Sequence, residues 1–242
     1  MKKLKYLAAL TVLVAQSTFA ASWGYSADKA PEHWANLDES YHACAGVNQS
    51  PINIQSTVKA NLTPLNFDYA NTKAKSIINN GHTVEVRFNS GAYLNLDNHK
   101  FELKQAHFHT PSENLLNGKS YPAEMHLVHA SEEGELAVIA VLFEQGKENQ
   151  NLATFWSNLP KQPNQEIELK QTIFASNFLP KQYDYYRFNG SLTTPPCSEG
   201  VRWIVLKDIQ TISKNQVEKF ANLMGVPNNR PVQKQNARLV LE

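Results

Sequence analysis

The chain consists mainly of short runs in which hydrophobic and polar residues alternate, with the two-residue period of β-strands. These runs are rich in β-branched residues and are separated by Gly, Asn and Asp, which favour turns. The pattern predicts six strands, over residues 84–88, 92–96, 101–110, 124–130, 136–143 and 201–206.

Two other segments have helical spacing. Apolar side chains fall at positions i, i+3, i+4 and i+7 in the first segment, at Leu152, Phe155, Trp156 and Leu159. In the second, Ser213 and Gln216 form a capping box that precedes an apolar stripe. The chain is therefore predicted to be mainly β, with short helices.

The amino terminus has the layout of a secretory signal. Three lysines precede an apolar run over residues 6–15, which is too short to span a bilayer, and Thr18-Phe19-Ala20 resembles a small-x-small cleavage site. We expect residues 1–20 to be a signal peptide cut after Ala20; a buried amphipathic helix is the alternative. The compact, Lys-rich signal is typical of bacteria and predicts a periplasmic protein with no membrane span.

Charge and composition limit the choice of partner. The whole chain has 23 basic and 22 acidic residues, and removal of residues 1–20 leaves 20 basic against 22 acidic residues. Nucleic-acid binding would need a basic patch or stripe, which this balance does not indicate. Residues 21–242 could form one large β domain or two small domains. Because no linker or repeat divides them, we expect one.

The two cysteines, Cys44 and Cys197, are the only ones in the chain. In an exported protein two cysteines favour one disulfide bond, and two buried free thiols are the alternative.

Histidines on two predicted strands indicate a metal site. Because side chains alternate between the faces of a strand, Gln105, His107 and His109 share one face. Glu124 and His126 share a face of the next strand, and a glutamine or carboxylate beside a ligating histidine orients its ring. Three histidines leave the fourth tetrahedral position open, as in catalytic zinc sites. Ordinary strand histidines are the alternative interpretation.

Six motifs together resemble the α-class carbonic anhydrases. They run in family order between about Trp23 and about Arg238, and they are Q-S-P-I-N-I at 49–54, N-N-G-H at 79–82, H-F-H-T-P-S-E-N at 107–114, E-M-H-L-V-H at 124–129, G-S-L-T-T-P-P-C at 190–197 and N-R-P-V-Q at 229–233. The resemblance implies a single domain on a large, twisted, mostly antiparallel central sheet. It also implies one Zn²⁺ per chain at the base of a conical cleft, and hydration of carbon dioxide by zinc-bound hydroxide.

The resemblance also assigns roles to residues. Thr193 would orient the hydroxide and pass its own proton to Glu113, while His82 would carry protons to solvent. The substrate pocket would have an apolar wall and, opposite it, a water-holding side. The wall would comprise Val128, Val138, Leu192, Val201 and Trp203, and the wet side Tyr25, Asn80, His82 and Thr194. Each assignment has a plainer alternative. Thr193 could be a turn residue and Glu113 a solvated loop acid. The wall residues could be plain core, and His82 a strand-end histidine without a role. The cysteine pair would anchor the Thr193 loop.

Three positions depart from the family pattern. Asn114 follows Glu113 where many animal members have a histidine, and Phe188 stands at the position of that histidine's tyrosine partner. We therefore expect Glu113 to be held by other groups. Glu85 stands on the wet side, where many relatives have a neutral polar residue, and it could alter the water network.

The leading hypothesis is an enzyme that interconverts carbon dioxide and bicarbonate and is inhibited by sulfonamides and anions, as a monomer or homodimer. One alternative is a catalytically weak carbonic-anhydrase-like zinc-binding module, and another is a zinc-storage or structural protein. The complete histidine set, with Thr193 and Glu113, argues against the first alternative. The open fourth position argues against the second.

Overall fold

The computed structural model describes residues 22–69, 71–169 and 172–242. The predicted signal peptide and its cleavage site therefore lie outside the described residues. The described chain is mainly β, with strands β1 Asn53–Ile54, β2 Thr57–Val58, β3 Asn66–Asp68, β4 Ala74–Asn79, β5 Val84–Phe88, β6 Tyr93–Leu96, β7 His99–His109, β8 Leu115–Leu116, β9 Ala123–Ala130, β10 Leu136–Gln145, β11 Gln165–Glu168, β12 Tyr185–Ser191, β13 Glu199–Leu206, β14 Gln210–Ile212 and β15 Val240–Leu241.

Helices are few and short in the described chain. The α-helices are α1 Trp34–Leu37, α2 Ala153–Ser157 and α3 Lys214–Met224. Short 3₁₀ helices span Ala27–Lys29, Pro31–His33, Glu39–Ala45, Gln150–Leu152 and Ala175–Phe178. No helix among the described residues is long and apolar enough to cross a membrane.

One large sheet organises the domain. Its main path is β11-β4-β5-β7-β9-β10-β13-β12-β15-β2, with β14 beside β10 and the β3–β6 pair beside β7. Most neighbours are antiparallel, but β10 and β13 run parallel at the centre. The prediction of a single mainly β domain on a large twisted sheet is confirmed.

The two faces of β7 have different surroundings. Ala106 and Phe108 are fully buried in the main apolar core, where Phe108 stacks on Phe155 at a centroid distance of 4.9 Å. Trp156 of α2 and Phe220 of α3 belong to the same core. Gln105, His107 and His109 point to the opposite face. Helices α2 and α3 thus cover one side of the sheet, and Gln105, His107 and His109 lie on the other.

The helix predictions succeeded at α3 and were partly wrong at α2. The Ser213–Gln216 capping box caps α3, which ends at Gly225 in the left-handed conformation, with φ of 75°. Helix α2 ends at Ser157, so Leu159 lies beyond it. Leu159 precedes Pro160, and a residue before proline is disfavoured in the α conformation.

The Cys44–Cys197 disulfide is present, as predicted. It joins the 3₁₀ helix Glu39–Ala45 to the loop between β12 and β13, across a sequence separation of 153 residues. The bond therefore links the amino-terminal region to the loop that carries Thr193.

Candidate metal centre

The three histidines converge from two neighbouring antiparallel strands. His107 of β7 lies directly opposite His126 of β9, and His109 lies opposite Glu124. A register shift between Leu103 and Gln105 sets this pairing. One nitrogen of each of His107, His109 and His126 lies within 4.8 Å of the other two. Three ligand atoms at this separation form a compact donor set for one metal ion.

The remaining ring nitrogen of each histidine contacts an oxygen acceptor. His107 Nδ1 donates to Gln105 Oε1 at 2.7 Å, and His109 Nδ1 donates to the Asn228 carbonyl at 2.7 Å. His126 Nε2 donates to Glu124 Oε1 at 2.9 Å. These acceptors fix the proton on one nitrogen of each ring. Lone pairs are left on His107 Nε2, His109 Nε2 and His126 Nδ1, as metal ligands require.

Burial keeps the imidazoles neutral. It lowers the pKa of His107 and His126 well below the ordinary value and lowers the pKa of His109 as well. His109 Nε2 is buried and has no hydrogen-bond partner among the described residues. A buried, unpartnered lone pair in a three-nitrogen cluster fits a borderline cation such as zinc.

Glu124 is fully buried and is held by the Glu113–Asn114 segment. The backbone N–H groups of Glu113 and Asn114 donate to Glu124 Oε2 at 2.8 and 2.7 Å. Asn114 Nδ2 donates to Glu124 Oε1 at 2.6 Å. Burial raises the pKa of Glu124, and the bonds from Asn114 oppose this shift. Asn114 therefore supports the carboxylate that orients His126.

Glu113 is buried beside the histidines rather than solvated. Its Oε1 accepts from the Arg230 backbone N–H at 2.8 Å, and its Oε2 lies 3.5 Å from His109 Nε2. Burial raises the pKa of Glu113 well above its usual range, while hydrogen bonds from the Arg230 backbone and the Thr193 side chain oppose the shift. Phe188, which stands where many animal members have a tyrosine, stacks on Trp203 with ring planes 6° apart.

The predicted wall residues lie in one apolar cluster. Val138, Val201 and Trp203 are buried in it, and Val128 and Leu192 are half-buried at its edge. The Trp203 ring meets the His126 ring edge-on at 4.9 Å between centroids. These side chains are thus both core and the apolar side of the candidate site.

His82 lies at the turn between β4 and β5. Its imidazole is half-buried and stacks on Trp23, with centroids 3.7 Å apart and planes at 10°. Burial lowers the pKa of His82. Asn80 Oδ1 accepts from the backbone N–H groups of His82 and Thr83 at 2.9 Å. The Asn80 amide oxygen therefore shapes this turn.

The remaining predicted wet-side residues have separate environments. Burial, followed by the nearby charge of Glu113, raises the pKa of Tyr25 well above its ordinary value. The Thr194 carbonyl accepts from the Cys197 backbone N–H at 2.9 Å. Glu85 is the cross-strand neighbour of His107, and its carboxylate accepts from Arg87 Nε at 2.9 Å. Glu85 is thus an ion-paired acid beside a candidate ligand.

Two supporting residues escaped the sequence analysis. Asn228 orients His109 through its carbonyl, and its side-chain amide donates to the Phe108 carbonyl at 2.9 Å while accepting from the Thr110 N–H at 2.8 Å. Arg230 lies within the N-R-P-V-Q motif and holds Glu113 through its backbone. The motif drew attention to this segment of the sequence. Nothing in the sequence, however, indicates that it contacts His109, which is 119 positions from Asn228, or Glu113, which is 117 positions from Arg230.

Comparisons with known proteins agree with this site. Residues 29–242 match the family described as eukaryotic-type carbonic anhydrase. A carbonic anhydrase of Klebsiella pneumoniae is 46% identical over 229 residues, which cover 93% of each chain. One of Neisseria gonorrhoeae is 43% identical over 96% of this chain and 94% of the relative.

A solved structure gives the same result. The α-carbonic anhydrase from Thermovibrio ammonificans in complex with the inhibitor sulfanilamide has a TM-score of 0.89 and 49% identity to this chain. The match covers 92% of this chain and 99% of that one. Bacterial relatives and a disulfide bond are both compatible with export.

Proposed function

This chain belongs to the eukaryotic-type, or α-class, carbonic anhydrase family, zinc enzymes that hydrate carbon dioxide reversibly, and from that premise we propose the role of each site residue. His107, His109 and His126 hold the zinc. The observation that carries this assignment is that each ring has one nitrogen bonded to an oxygen acceptor and the other free within the three-atom cluster.

Zinc, when bound, acts as a Lewis acid and brings the pKa of the water it holds into the neutral range, as is established for carbonic anhydrases. The ligands contribute by being neutral. Thiolates or carboxylates would cancel part of the metal charge, whereas the three buried imidazoles leave it intact. Gln105, Glu124 and the Asn228 carbonyl keep the rings in the ligating tautomer.

Thr193 and Glu113 orient the nucleophile. Glu113 Oε2 is buried without a hydrogen-bond partner among the described residues, and the Thr193 hydroxyl would donate a hydrogen bond to this carboxylate. The Thr193 oxygen could then only accept a hydrogen bond from a group in the cleft, which favours a nucleophile that still carries a proton. The backbone N–H of Arg230 occupies the other acceptor site of Glu113 and keeps the carboxylate in place.

Carbon dioxide is small and apolar, and the apolar wall suits it. Val128, Val138, Leu192, Val201 and Trp203 offer a surface without hydrogen-bonding groups beside His126, apart from the indole N–H of Trp203. That N–H donates to the Ser191 carbonyl at 2.9 Å. The substrate therefore meets an apolar surface on this side of the metal. Tyr25, Asn80 and Thr194 provide polar groups for water on the other side.

Hydration also releases a proton, and His82 carries it to solvent. A histidine suits this role because its ordinary pKa is near neutrality. The His82 ring is half-buried, so part of it is open to solvent. Stacking on Trp23 gives the ring a defined resting position at the turn.

The metal assignment is tested by replacing the three histidines singly with Ala. We expect each variant to lose both bound zinc, measured by metal analysis, and stopped-flow hydration of carbon dioxide. The exposed His33, replaced with Ala, is the matched control and should retain both. A variant that keeps full zinc and full rate would remove its residue from the ligand set.

An aromatic sulfonamide should inhibit the wild type, and no inhibition at millimolar concentration would contradict the site.

We also propose that the protein is exported to a bacterial periplasm, with residues 1–20 removed after Ala20 and residues 21–242 forming the catalytic domain. The support is the basic start, the short apolar run and the small-x-small site. Amino-terminal sequencing of protein from the periplasmic fraction should begin at Ala21. An intact amino terminus found only in the cytoplasmic fraction would contradict the proposal.

A further inference from the structure

We propose that Arg230 and Gln49 form a positioning pair that fixes Thr193 and Glu113 relative to each other. This inference rests on the proposed roles of Thr193 and Glu113. Arg230 is only 2% exposed, and Gln49 is equally buried. Burial of an arginine calls for partners that compensate for its lost hydration; here Nη1 and Nη2 have them, while the buried Nε has none among the described residues.

Arg230 binds three different parts of the chain. Its backbone N–H donates to Glu113 Oε1 at 2.8 Å. In its guanidinium, Nη1 donates to Gln49 Oε1 at 2.8 Å and to the Ser50 carbonyl at 2.9 Å, and Nη2 donates to the Cys44 carbonyl at 2.8 Å. One residue therefore holds Glu113 on one side and the 49–50 segment on the other.

The 49–50 segment in turn holds both ends of the Thr193 loop, residues 191–197. At the end of the loop, Gln49 Nε2 donates to the Cys197 carbonyl at 3.1 Å. At its beginning, Ser50 N–H donates to Ser191 Oγ at 2.9 Å, and Ser191 N–H donates to Ser50 Oγ at 3.1 Å. Thr193 thus lies in a loop whose two ends are both hydrogen-bonded to residues 49 and 50.

These contacts connect Glu113 to the Thr193 loop through one buried pair. They run from Glu113 to Arg230, and from Arg230 through Gln49 to the end of the Thr193 loop. The disulfide adds a covalent link between the same two regions, because the Cys44 carbonyl accepts from Arg230 and the Cys197 carbonyl accepts from Gln49. Both catalytic partners therefore share one buried anchor, although they lie 80 residues apart in sequence.

The chemistry of the pair explains why these residue types are needed. A guanidinium presents donors in a rigid planar fork, which can reach an amide oxygen and two backbone carbonyls at once. A lysine ammonium lacks this fork. An amide accepts through its oxygen and donates through its nitrogen, so Gln49 accepts from Arg230 and donates to the Cys197 carbonyl through two separate atoms.

The test compares Arg230→Lys and Gln49→Ala with a matched control, Arg238→Lys. Arg238 also binds backbone carbonyls, including that of Gln49 at 2.8 Å, but it has no bond to Glu113 or the Thr193 loop. For each zinc-loaded protein the measurements are zinc content, disulfide state, thermal unfolding, kcat/KM for carbon dioxide and Kd for an aromatic sulfonamide. A sulfonamide reports on Thr193 because its bound nitrogen donates a proton to that hydroxyl.

We expect Arg230→Lys and Gln49→Ala to keep one zinc and the disulfide but to lose about tenfold in kcat/KM and in sulfonamide affinity, the scale of an outer-shell effect. Arg238→Lys should match the wild type in zinc content, disulfide state, kcat/KM and Kd, while the loss of its own carbonyl contacts lowers only its thermal midpoint. A purely structural role would lower the thermal midpoint without changing kcat/KM or Kd per folded, zinc-loaded molecule. If Arg230→Lys does not fold, Gln49→Ala alone decides.

Two results would overturn the inference. The first is wild-type kcat/KM and sulfonamide affinity in Gln49→Ala. The second is a loss of kcat/KM and affinity that is only in proportion to the loss of zinc. Thr193→Ala, measured in parallel, separates the inference from the proposed function. A slow Thr193→Ala with an unimpaired Gln49→Ala would refute the positioning pair alone. An unimpaired Thr193→Ala would refute the assigned role of Thr193 and the inference with it.

Discussion

The buried His129–Tyr69 pair makes a specific prediction about stability in acid. His129 lies in β9, the strand of His126, but faces the main core, where its Nε2 accepts from the Tyr69 hydroxyl at 2.6 Å and its Nδ1 donates to the Ala137 carbonyl at 3.3 Å. Protonation of Nε2 would bring two hydrogen-bond donors, the new N–H and the Tyr69 hydroxyl, into opposition. Burial already lowers the pKa of His129 to about 4. Acid should therefore destabilise the native state through this residue.

The magnitude follows from the pKa difference between the folded and unfolded states. The pKa falls from 6.5 in the unfolded chain to about 4 in the native state. At about 1.4 kcal/mol per unit, this corresponds to about 3 kcal/mol. Between these two values the unfolded chain binds a proton that the native state cannot bind, so stability falls as the pH falls from 6.5 to 4.

The assay is urea unfolding of the wild type and His129→Gln across this pH range. At neutral pH the variant should be less stable by roughly 1–3 kcal/mol, because a buried hydrogen bond is disturbed. Towards pH 4 the deficit should shrink by about 3 kcal/mol, since glutamine does not titrate. Release of metal in acid affects both proteins alike and cancels in the difference.

Two controls accompany the measurement. Tyr69→Phe removes the hydroxyl but keeps a titratable His129, so it should retain the steep dependence on pH. The exposed His33, replaced with Gln, should follow the wild type throughout. Parallel profiles for the wild type and His129→Gln would show that His129 is not the origin of the acid sensitivity, and would refute the argument.

The remaining predictions concern the site and the disulfide. Thr193→Ala should keep its zinc but lose on the order of 100-fold in hydration rate, and unchanged turnover would show that Thr193 does not orient the nucleophile. His82→Ala should lower kcat in dilute buffer, measured by stopped flow with and without imidazole, and leave kcat/KM nearly unchanged; a parallel fall of both would exclude a shuttle role. Glu124→Ala should weaken zinc affinity or activity by roughly 10–100-fold, as judged by chelator competition and hydration rate. Reduction of Cys44–Cys197, or Cys44→Ser, should cost roughly 2–5 kcal/mol in unfolding free energy. An unchanged midpoint after verified reduction would refute a stabilising role of the bond.

Much of the site was predictable because it depends on local patterns. Alternation over β7 and β9 placed His107, His109 and His126 on one face, and the neighbouring Gln105 and Glu124 are two residues away from the rings they hold. A strand with one buried face fixes its register strongly, so such alternation is a reliable signal.

The unpredicted parts depend on contacts between distant segments. Strand β12 was missed because Tyr185–Ser191 does not alternate clearly, and only its pairing with β13 and β15 identifies it as a strand. The parallel pairing of β10 with β13 likewise has no local signal. Nothing near His109 indicates that its acceptor is a backbone carbonyl at residue 228. Partner choice over such distances is decided by packing, which a single sequence does not display.

The carbonyl of Asn228 also affects the order in which the protein acquires its metal. All three candidate histidine ligands have been synthesised once translation reaches residue 126. The carbonyl that accepts from His109, however, lies 119 residues beyond that histidine. Until residues 228–230 have docked, the His109 ring lacks its tautomer-fixing acceptor and Glu113 lacks a backbone donor. We therefore expect a chain that ends before residue 228 to offer a weaker, less oriented chelate. Tight zinc loading should then require that residues 228–230 have docked.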